Sequence, residues 1–229
     1  EPGTVAATGG TSGVLYGITD TPQVGKLRGF NHFLHVNHSP ERPRIGQLLC
    51  INGAGSLYRW VKDQLGVTGY GEMNALAEGV PAGAEGLMCF PFGNGAERML
   101  GNSTPGASFS GIAFNRHRRG HLCRAALEGV AFAFRYGMEL MEAEGVPFRT
   151  LRAGNDNLFQ SEIFTTTLAA LGQTPIELYE VTGAVGAARA CMVTEIGMEA
   201  TLQRTAQRDY LGTIQPPEGG DTYRKTYEK

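Results

Sequence analysis

The sequence predicts a mixed α/β fold, and three observations carry the prediction. Short apolar runs with the two-residue period of strands alternate along the chain with longer runs of helical period. The 33 glycines gather where those runs meet, at places where strands turn or backbones approach closely. Apolar residues make up 41% and charged residues 18% of the 229, a composition that fills a full-sized core. The same figures exclude several classes of function. A formal net charge of -2 offers no surface for nucleic acid or for an anionic membrane. No apolar run approaches the ~20 residues needed to span a bilayer, and the acidic start Glu1-Pro2-Gly3 does not read as a signal peptide. Cys50, Cys89, Cys123 and Cys191 stand apart, each in an apolar segment, and read as reduced core thiols of a cytoplasmic protein.

Val5-Ala6-Ala7-Thr8 predicts a short buried strand of a larger sheet, so abruptly placed that a fragment or a separately expressed domain is expected. Gly9-Gly10-Thr11-Ser12-Gly13 then turns the chain into a second strand at 14–18. Glycines let backbone amides face a ligand, and Thr11 and Ser12 add hydroxyl donors at the same place, as a bound phosphate chain requires. An ordinary glycine hairpin is the alternative. Residues 19–43 are loop-rich, with a strand candidate at 33–36. His32, His35 and His38 are spaced so that successive side chains leave opposite faces of a strand, and no carboxylate or Cys completes a set, so no metal site is read from them. Residues 43–65 predict the first long helix, with Leu48, Leu49, Tyr58, Trp60, Val61 and Leu65 on its apolar faces. Gly53-Ala54-Gly55-Ser56 interrupts its middle, where each glycine costs about 1 kcal/mol relative to alanine. That run signals either tight packing or the approach of a ligand.

A short helix follows at 70–78, a turn at 81–85 and a buried strand at 86–92. Ser108, Ser110 and Ala113 alternate with Phe109 and Ile112 around Gly111, which predicts a strand bending under something close-packed. The basic cluster Arg116, His117, Arg118 and Arg119 reads as a solvated turn. From His121 the residues Leu122, Ala125, Ala126, Gly129 and Val130 fall on one helical face, and Gly145 with Pro147 stops that helix. A strand at 148–153 runs into Gly154-Asn155-Asp156-Asn157 and a helix at 159–171. Small polar residues between a strand's C-terminal end and a helix are where α/β folds bind nucleotides, although Asp156 or Asn157 serves equally as a plain cap. The remaining chain predicts a strand at 175–179, a small-residue helix at 182–190 packed closely on the sheet, and helix from 193 to 214. Residues 215–229 form a polar tail expected to be extended or poorly ordered.

Several of these segments also resemble one family, in its order. Ala107, Phe109, Gly111-Ile112 and then His121-Leu122, Ala125-Ala126-Leu127-Glu128 resemble the C-terminal signature of the FGGY carbohydrate kinases. Gly10-Thr11-Ser12-Gly13 resembles that family's phosphate loop, in which the Thr faces the β- and γ-phosphates. Gly55 sits where glycerol kinase-like members carry a G-x-x-x-Q-W helix whose glycine and glutamine reach the nucleotide; Arg59 replaces the glutamine. Glu97-Arg98 resembles the Gly-Glu-Arg segment of the xylulokinase and gluconate kinase branches, with Ala96 in place of the glycine; a surface ion pair is the simpler account of the two charges. Gly154, with Asn155 and Asn157 after it, stands where the family has a glycine-rich turn against adenosine and α-phosphate.

The resemblance implies an actin-like ATPase, or ribonuclease H-like, domain over residues 1–214, with the sheet flanked by helices and 215–229 as the tail. It implies transfer of the γ-phosphoryl of ATP, with Mg2+, to a sugar hydroxyl. D-xylulose is the first candidate, with gluconate, ribulose or glycerol as alternatives, and a non-kinase actin-like ATPase module stands as the other class. The ATP-binding set it implies is Gly10, Thr11, Ser12, Gly55, Gly154, Asn155 and Asn157, with no metal-ligating side chain. The family's catalytic Asp lies upstream of the phosphate loop, so no catalytic residue is expected here. The chain is then expected to work with an N-terminal sugar-binding domain of the same protein and to be inactive alone. A homodimer is left open.

Overall fold

The computed structural model describes residues 2–21 and 29–229. Residues 22–28, part of the region expected to be loop-rich, lie outside the described residues. β1 (Thr4–Gly9) and β2 (Gly13–Thr19) form the predicted glycine hairpin, antiparallel with Gly9 opposite Gly13. β3 (Asn31–Leu34) and β4 (Ile45–Ile51) extend it. There follow α1 (Ala54–Leu65), α2 (Tyr70–Glu78), β5 (Met88–Phe92), β6 (Gly106–Ser110), α3 (Arg119–Ala143), β7 (Thr150–Gly154) and α4 (Glu162–Gly172). β8 (Ile176–Tyr179), α5 (Gly183–Ile196), α6 (Met198–Asp209), β9 (Tyr210–Ile214) and α7 (Asp221–Tyr227) complete the chain. Among the described residues a mixed seven-stranded sheet runs β3-β4-β2-β1-β7-β8-β9, and β5 pairs with β6 apart from it. The pairs β1–β7 and β7–β8 are parallel, the others antiparallel. A mixed sheet flanked by helices is the architecture the periodicities predict.

The core sits on one face of that sheet. Val5 and Ala7 of β1, Leu15 of β2, and Leu49 and Ile51 of β4 alternate inward and are buried with the inner faces of α3 and α4. Phe134, Phe159 and Phe164 meet edge to face, with ring centroids 5.2 to 6.4 Å apart. Two glycines let α3 lie this close: a Cβ at Gly13 would stand 2.6 Å from the Phe134 ring, and one at Gly137 would stand 2.8 Å from Leu49. At the bend after β6, Gly111 has φ 85° and the carbonyl of Gly86 would meet its Cβ at 2.7 Å, which accounts for the predicted break.

Other expectations change. The helix expected over 43–65 is split, because residues 45–51 are β4, with Leu49 opposite Leu15 and Ile51 opposite Gly13. Strand and helix spacing coincide on so short an apolar run, and the hydrogen-bonding edge of β2 decides between them. The helix expected at 159 starts later: residues 157–160 make a 3-10 turn capped by Asp156, and α4 is capped by the hydroxyl of Ser161, which accepts the Phe164 N–H at 3.5 Å. The small-residue helix does not pack on the sheet, for α5 has no buried residue and nothing lies within 4 Å of a Cβ at Gly183 or Gly186. Its apolar residues are spread around the helix, so no single face drives burial. The helix expected through 193–214 breaks at Gly197, with φ 84° and ψ 162°, and its last residues become β9 on the open edge of β8. The tail is not extended throughout. α7 docks, with the Tyr223 hydroxyl accepting from Arg124 at 2.8 Å and the Tyr227 hydroxyl donating to Glu139 at 2.9 Å. Arg118, in the basic turn, donates to the carbonyls of Phe114, Asn115 and His117, so it closes its own turn.

Candidate functional site

A cavity of about 250 Å³ opens where the β1–β2 turn, α1, α2 and the turn after β7 converge. Gly9, Gly10 and Thr11 line it from the hairpin, Gly55, Ser56, Tyr58 and Arg59 from α1, Tyr70 and Asn74 from α2, and Asp156, Asn157, Leu158, Gln160 and Ser161 from the last turn. Four segments distant in sequence thus share one hollow.

Hydrogen bonds fix the hairpin to the helix. The N–H groups of Gly55 and Ser56 donate to the carbonyls of Gly10 and Thr11 at 2.9 and 3.1 Å. The first turn of an α-helix has amides without intrahelical partners, and here two of them hold the loop. A Cβ at Gly55 would collide with the Gly10 carbonyl, so this glycine is required for the join. Gly53, with φ 99°, is pressed in the same way against the Pro91 carbonyl of β5. Close backbone packing therefore explains the Gly53-Ala54-Gly55-Ser56 run, and Gly55 faces the cavity as well. Gly10 is open: the nearest atom to a Cβ there is the Ser12 carbonyl oxygen at 3.9 Å. The turn's polar backbone is left exposed beside the Thr11 hydroxyl, an arrangement able to meet the oxygens of an anion.

Of the residues expected from sequence, Gly10, Thr11, Gly55 and Asn157 line the cavity. Ser12, Gly154 and Asn155 are not among its lining residues. The Ser12 hydroxyl is 3.5 Å from the Asn52 side-chain oxygen, and Gly154 packs against the Val181 carbonyl. The Asn155 N–H donates to the Tyr179 carbonyl at 2.8 Å. Asn157, at φ 51°, is held by the Asp156 carboxylate, which accepts its N–H at 2.8 Å. The wall that sequence reasoning missed is α2, where Tyr70 and Asn74 stand four residues apart and so share a helical face. Tyr58, read as an apolar helix position, is buried, and its hydroxyl donates to Asn74 Oδ1 at 3.1 Å. Burial pushes the Tyr58 phenol far above its ordinary value, so it stays protonated.

Arg59 and Asp156 are the charged side chains on the cavity wall. Ser56 and Arg59 also border a second groove of about 530 Å³, beside Trp60 and Asn94. Nearby, Glu97 accepts from Asn52 Nδ2 at 3.2 Å. His35 Nδ1 accepts the Asn37 N–H and His38 Nδ1 the Arg44 N–H, both at 3.1 Å, so those two histidines fix their loop.

The signature helix carries a second polar cluster away from the cavity. Glu128, 1% exposed, accepts from Arg124 Nε at 2.7 Å and from the Gly83 N–H at 3.0 Å, while Arg124 also donates to the Val80 carbonyl. Burial raises the Glu128 carboxyl above its usual range, with Arg124 and the Gly83 N–H pulling the other way.

Residues 5–195 match the family model described as the FGGY family of carbohydrate kinases, C-terminal domain. A gluconokinase of Bacillus licheniformis is 35% identical over 144 residues, an alignment covering 58% of this chain and 27% of that protein. A xylulose kinase of Haemophilus influenzae is 31% identical over 143 residues, covering 62% and 28%. Among solved structures, the xylulose kinase from Rhodospirillum rubrum superposes with a TM-score of 0.83 at 26% identity, covering 100% of this chain and 46% of that one. The chain spans little more than a quarter of the length of these curated relatives.

Proposed function

Because the chain belongs to the FGGY family of carbohydrate kinases, matching its C-terminal domain, we propose that it supplies the ATP-binding half of a cytoplasmic sugar kinase. The observation that carries this reading is the cavity on which the β1–β2 turn, α1 and the turn after β7 converge. Its glycine end fits a phosphate chain: Gly10 leaves open space, the Thr11 hydroxyl stands beside it, and the turn is held in place by α1. Thr11 and the Gly10 backbone would hold the β- and γ-phosphates, with Asn157 at the opposite wall. Ser12, Gly154 and Asn155 are given supporting roles, since each is occupied by packing or by a bond to its neighbours.

Phosphoryl transfer asks a protein mainly for positioning and for stabilisation of charge. The bond from the γ-phosphorus to the β–γ bridging oxygen breaks as one to the sugar oxygen forms, and the hydroxyl proton passes to a base. Mg2+, bound with the nucleotide, would supply neutralisation of the charge on the phosphates. Asp156 is the carboxylate on the cavity wall that would face it, and its side chain also accepts the Asn157 N–H. The base and the sugar contacts are assigned to an N-terminal domain of the same protein. Xylulose is the first sugar to test, on the Glu97-Arg98 segment, and gluconate the second, on the 35% identity to a gluconokinase.

Calorimetric titration of this chain with Mg-ATP tests the reading directly. Binding is expected, with phosphate transfer to xylulose or gluconate seen only in a longer protein that carries the N-terminal half. Thr11→Val is expected to weaken Mg-ATP binding about tenfold, the worth of one hydrogen bond to a charged group, with an unchanged circular dichroism spectrum. Unchanged affinity in that variant would remove the phosphate-loop assignment.

A further inference from the structure

We propose that the turn joining β3 to β4 holds a phosphate-group site, separate from the nucleotide cavity, in which Arg42, Arg44 and His35 present hydrogen-bond donors to a tetrahedral oxyanion. The inference stands apart from the nucleotide reading, since the hollow concerned shares no lining residue with that cavity. It measures about 130 Å³ and is lined by Ile18 of β2 and by His35, Asn37, Arg42 and Arg44 of the turn. At about half the size of the cavity, it suits an oxyanion and is too small for a nucleotide.

The turn's own hydrogen bonds hold it in shape. The His35 N–H donates to the Arg44 carbonyl at 3.0 Å, and Ser39 and Arg42 exchange backbone hydrogen bonds, both at 3.2 Å. Ser39 Oγ accepts the Arg42 N–H and His38 Nδ1 the Arg44 N–H, both at 3.1 Å. The backbone under both arginines is thus fixed while their guanidinium groups are left over. Arg42 makes no side-chain hydrogen bond or ion pair among the described residues, and Arg44 uses Nη1 on the Pro43 carbonyl at 2.8 Å, with no carboxylate partner there. No carboxylate lines the hollow, and Glu41, next to Arg42 in the chain, is exposed. His35 adds a third donor. Its Nδ1 accepts the Asn37 N–H at 3.1 Å, which puts the hydrogen of the neutral ring on Nε2, an N–H without a partner among the described residues. Partial burial, and then positive charge nearby that includes Arg44, lower this imidazole below its ordinary value, so the ring is neutral at pH 7. It stacks on Tyr16 with centroids 6.3 Å apart. Donors without acceptors describe an anion site, and planar guanidinium forks match the paired oxygens of a phosphate group. Donors from three separate backbone positions suit a tetrahedral group better than a flat carboxylate. The group can belong to free phosphate or to a phosphate ester whose remainder stays in solvent.

The test is two-dimensional amide NMR of this chain, titrated with inorganic phosphate and separately with xylulose 5-phosphate, each against sodium chloride of equal ionic strength. Saturable shifts at residues 35–44 are expected with phosphate and not with chloride. Tighter binding of the ester identifies the ester as ligand; equal or tighter binding of inorganic phosphate identifies the free ion. Arg42→Ala, at an exposed position, is expected to weaken binding about tenfold, and Arg42→Lys, which keeps the charge without the fork, to recover only part of the loss. Arg44→Ala is expected to act in the same direction. Shifts at residues 9–11 report separately on phosphate entering the nucleotide cavity. No saturable shift at residues 35–44 with either probe, the same shifts with chloride, or unchanged affinity in both alanine variants would overturn the site while leaving the nucleotide reading untouched.

Discussion

Gly154 shows how one residue's sequence reading and its structural role can part. Its place between a strand and a helix suggested contact with a nucleotide, yet its missing side chain makes room for the Val181 carbonyl. Gly154→Val is therefore expected to lower stability by about 2 kcal/mol or more through overpacking, read as a fall in the urea midpoint. A variant of full stability with weakened ATP binding would restore the sequence reading instead. Gly55 differs, because its lack of a Cβ lets α1 touch the hairpin and it faces the cavity too. The place of Thr11 on the cavity wall was legible from its setting, a hydroxyl in a glycine hairpin with few structural duties. That of Asn74 was not, since an amide in a short helix carries no signal until Tyr58 is known to turn it.

Among the elements, α3 binds the parts together. The Ala125-Ala126-Leu127-Glu128 run reads as a packing face, and so it is, but Glu128 is also the acceptor that anchors the loop at Gly83. Arg124 extends the cluster to the Val80 carbonyl and to Tyr223 of α7. Glu128→Gln would leave Arg124 charged, buried and without its counter-ion. It is expected to cost about 3 kcal/mol, measured by urea denaturation at neutral pH. A loss below about 1 kcal/mol would show that Arg124 is adequately satisfied by its other two partners. The split of the expected helix at 43–65 belongs to this scale as well. Leu48, Leu49 and Ile51 suit a strand or a helix locally, and pairing with β2 selects the strand.

At the scale of the whole molecule, the core is gathered on one side of the sheet under α3 and α4, and α5 and α6 stand outside it. Leu202, on α6, is 54% exposed. Leu202→Lys is accordingly expected to shift stability by less than about 0.5 kcal/mol, with thermal unfolding as the check; a larger loss would place α6 in the cooperative core. No helix among the described residues is long and apolar enough to cross a membrane. The sequence by itself determined the alternation of strands and helices, the hairpin at Gly9 to Gly13, the long signature helix and the turn before α4, because periodicity and glycine placement are local properties of the chain. Tertiary structure alone decided that 45–51 pairs as a strand, that 210–214 returns to the sheet edge, that α7 docks on Arg124, and that Tyr70 and Asn74 complete the cavity. Each of those outcomes depends on an edge, a buried charge or a hydroxyl supplied by a distant segment, and such a partner exists only once the chain has folded.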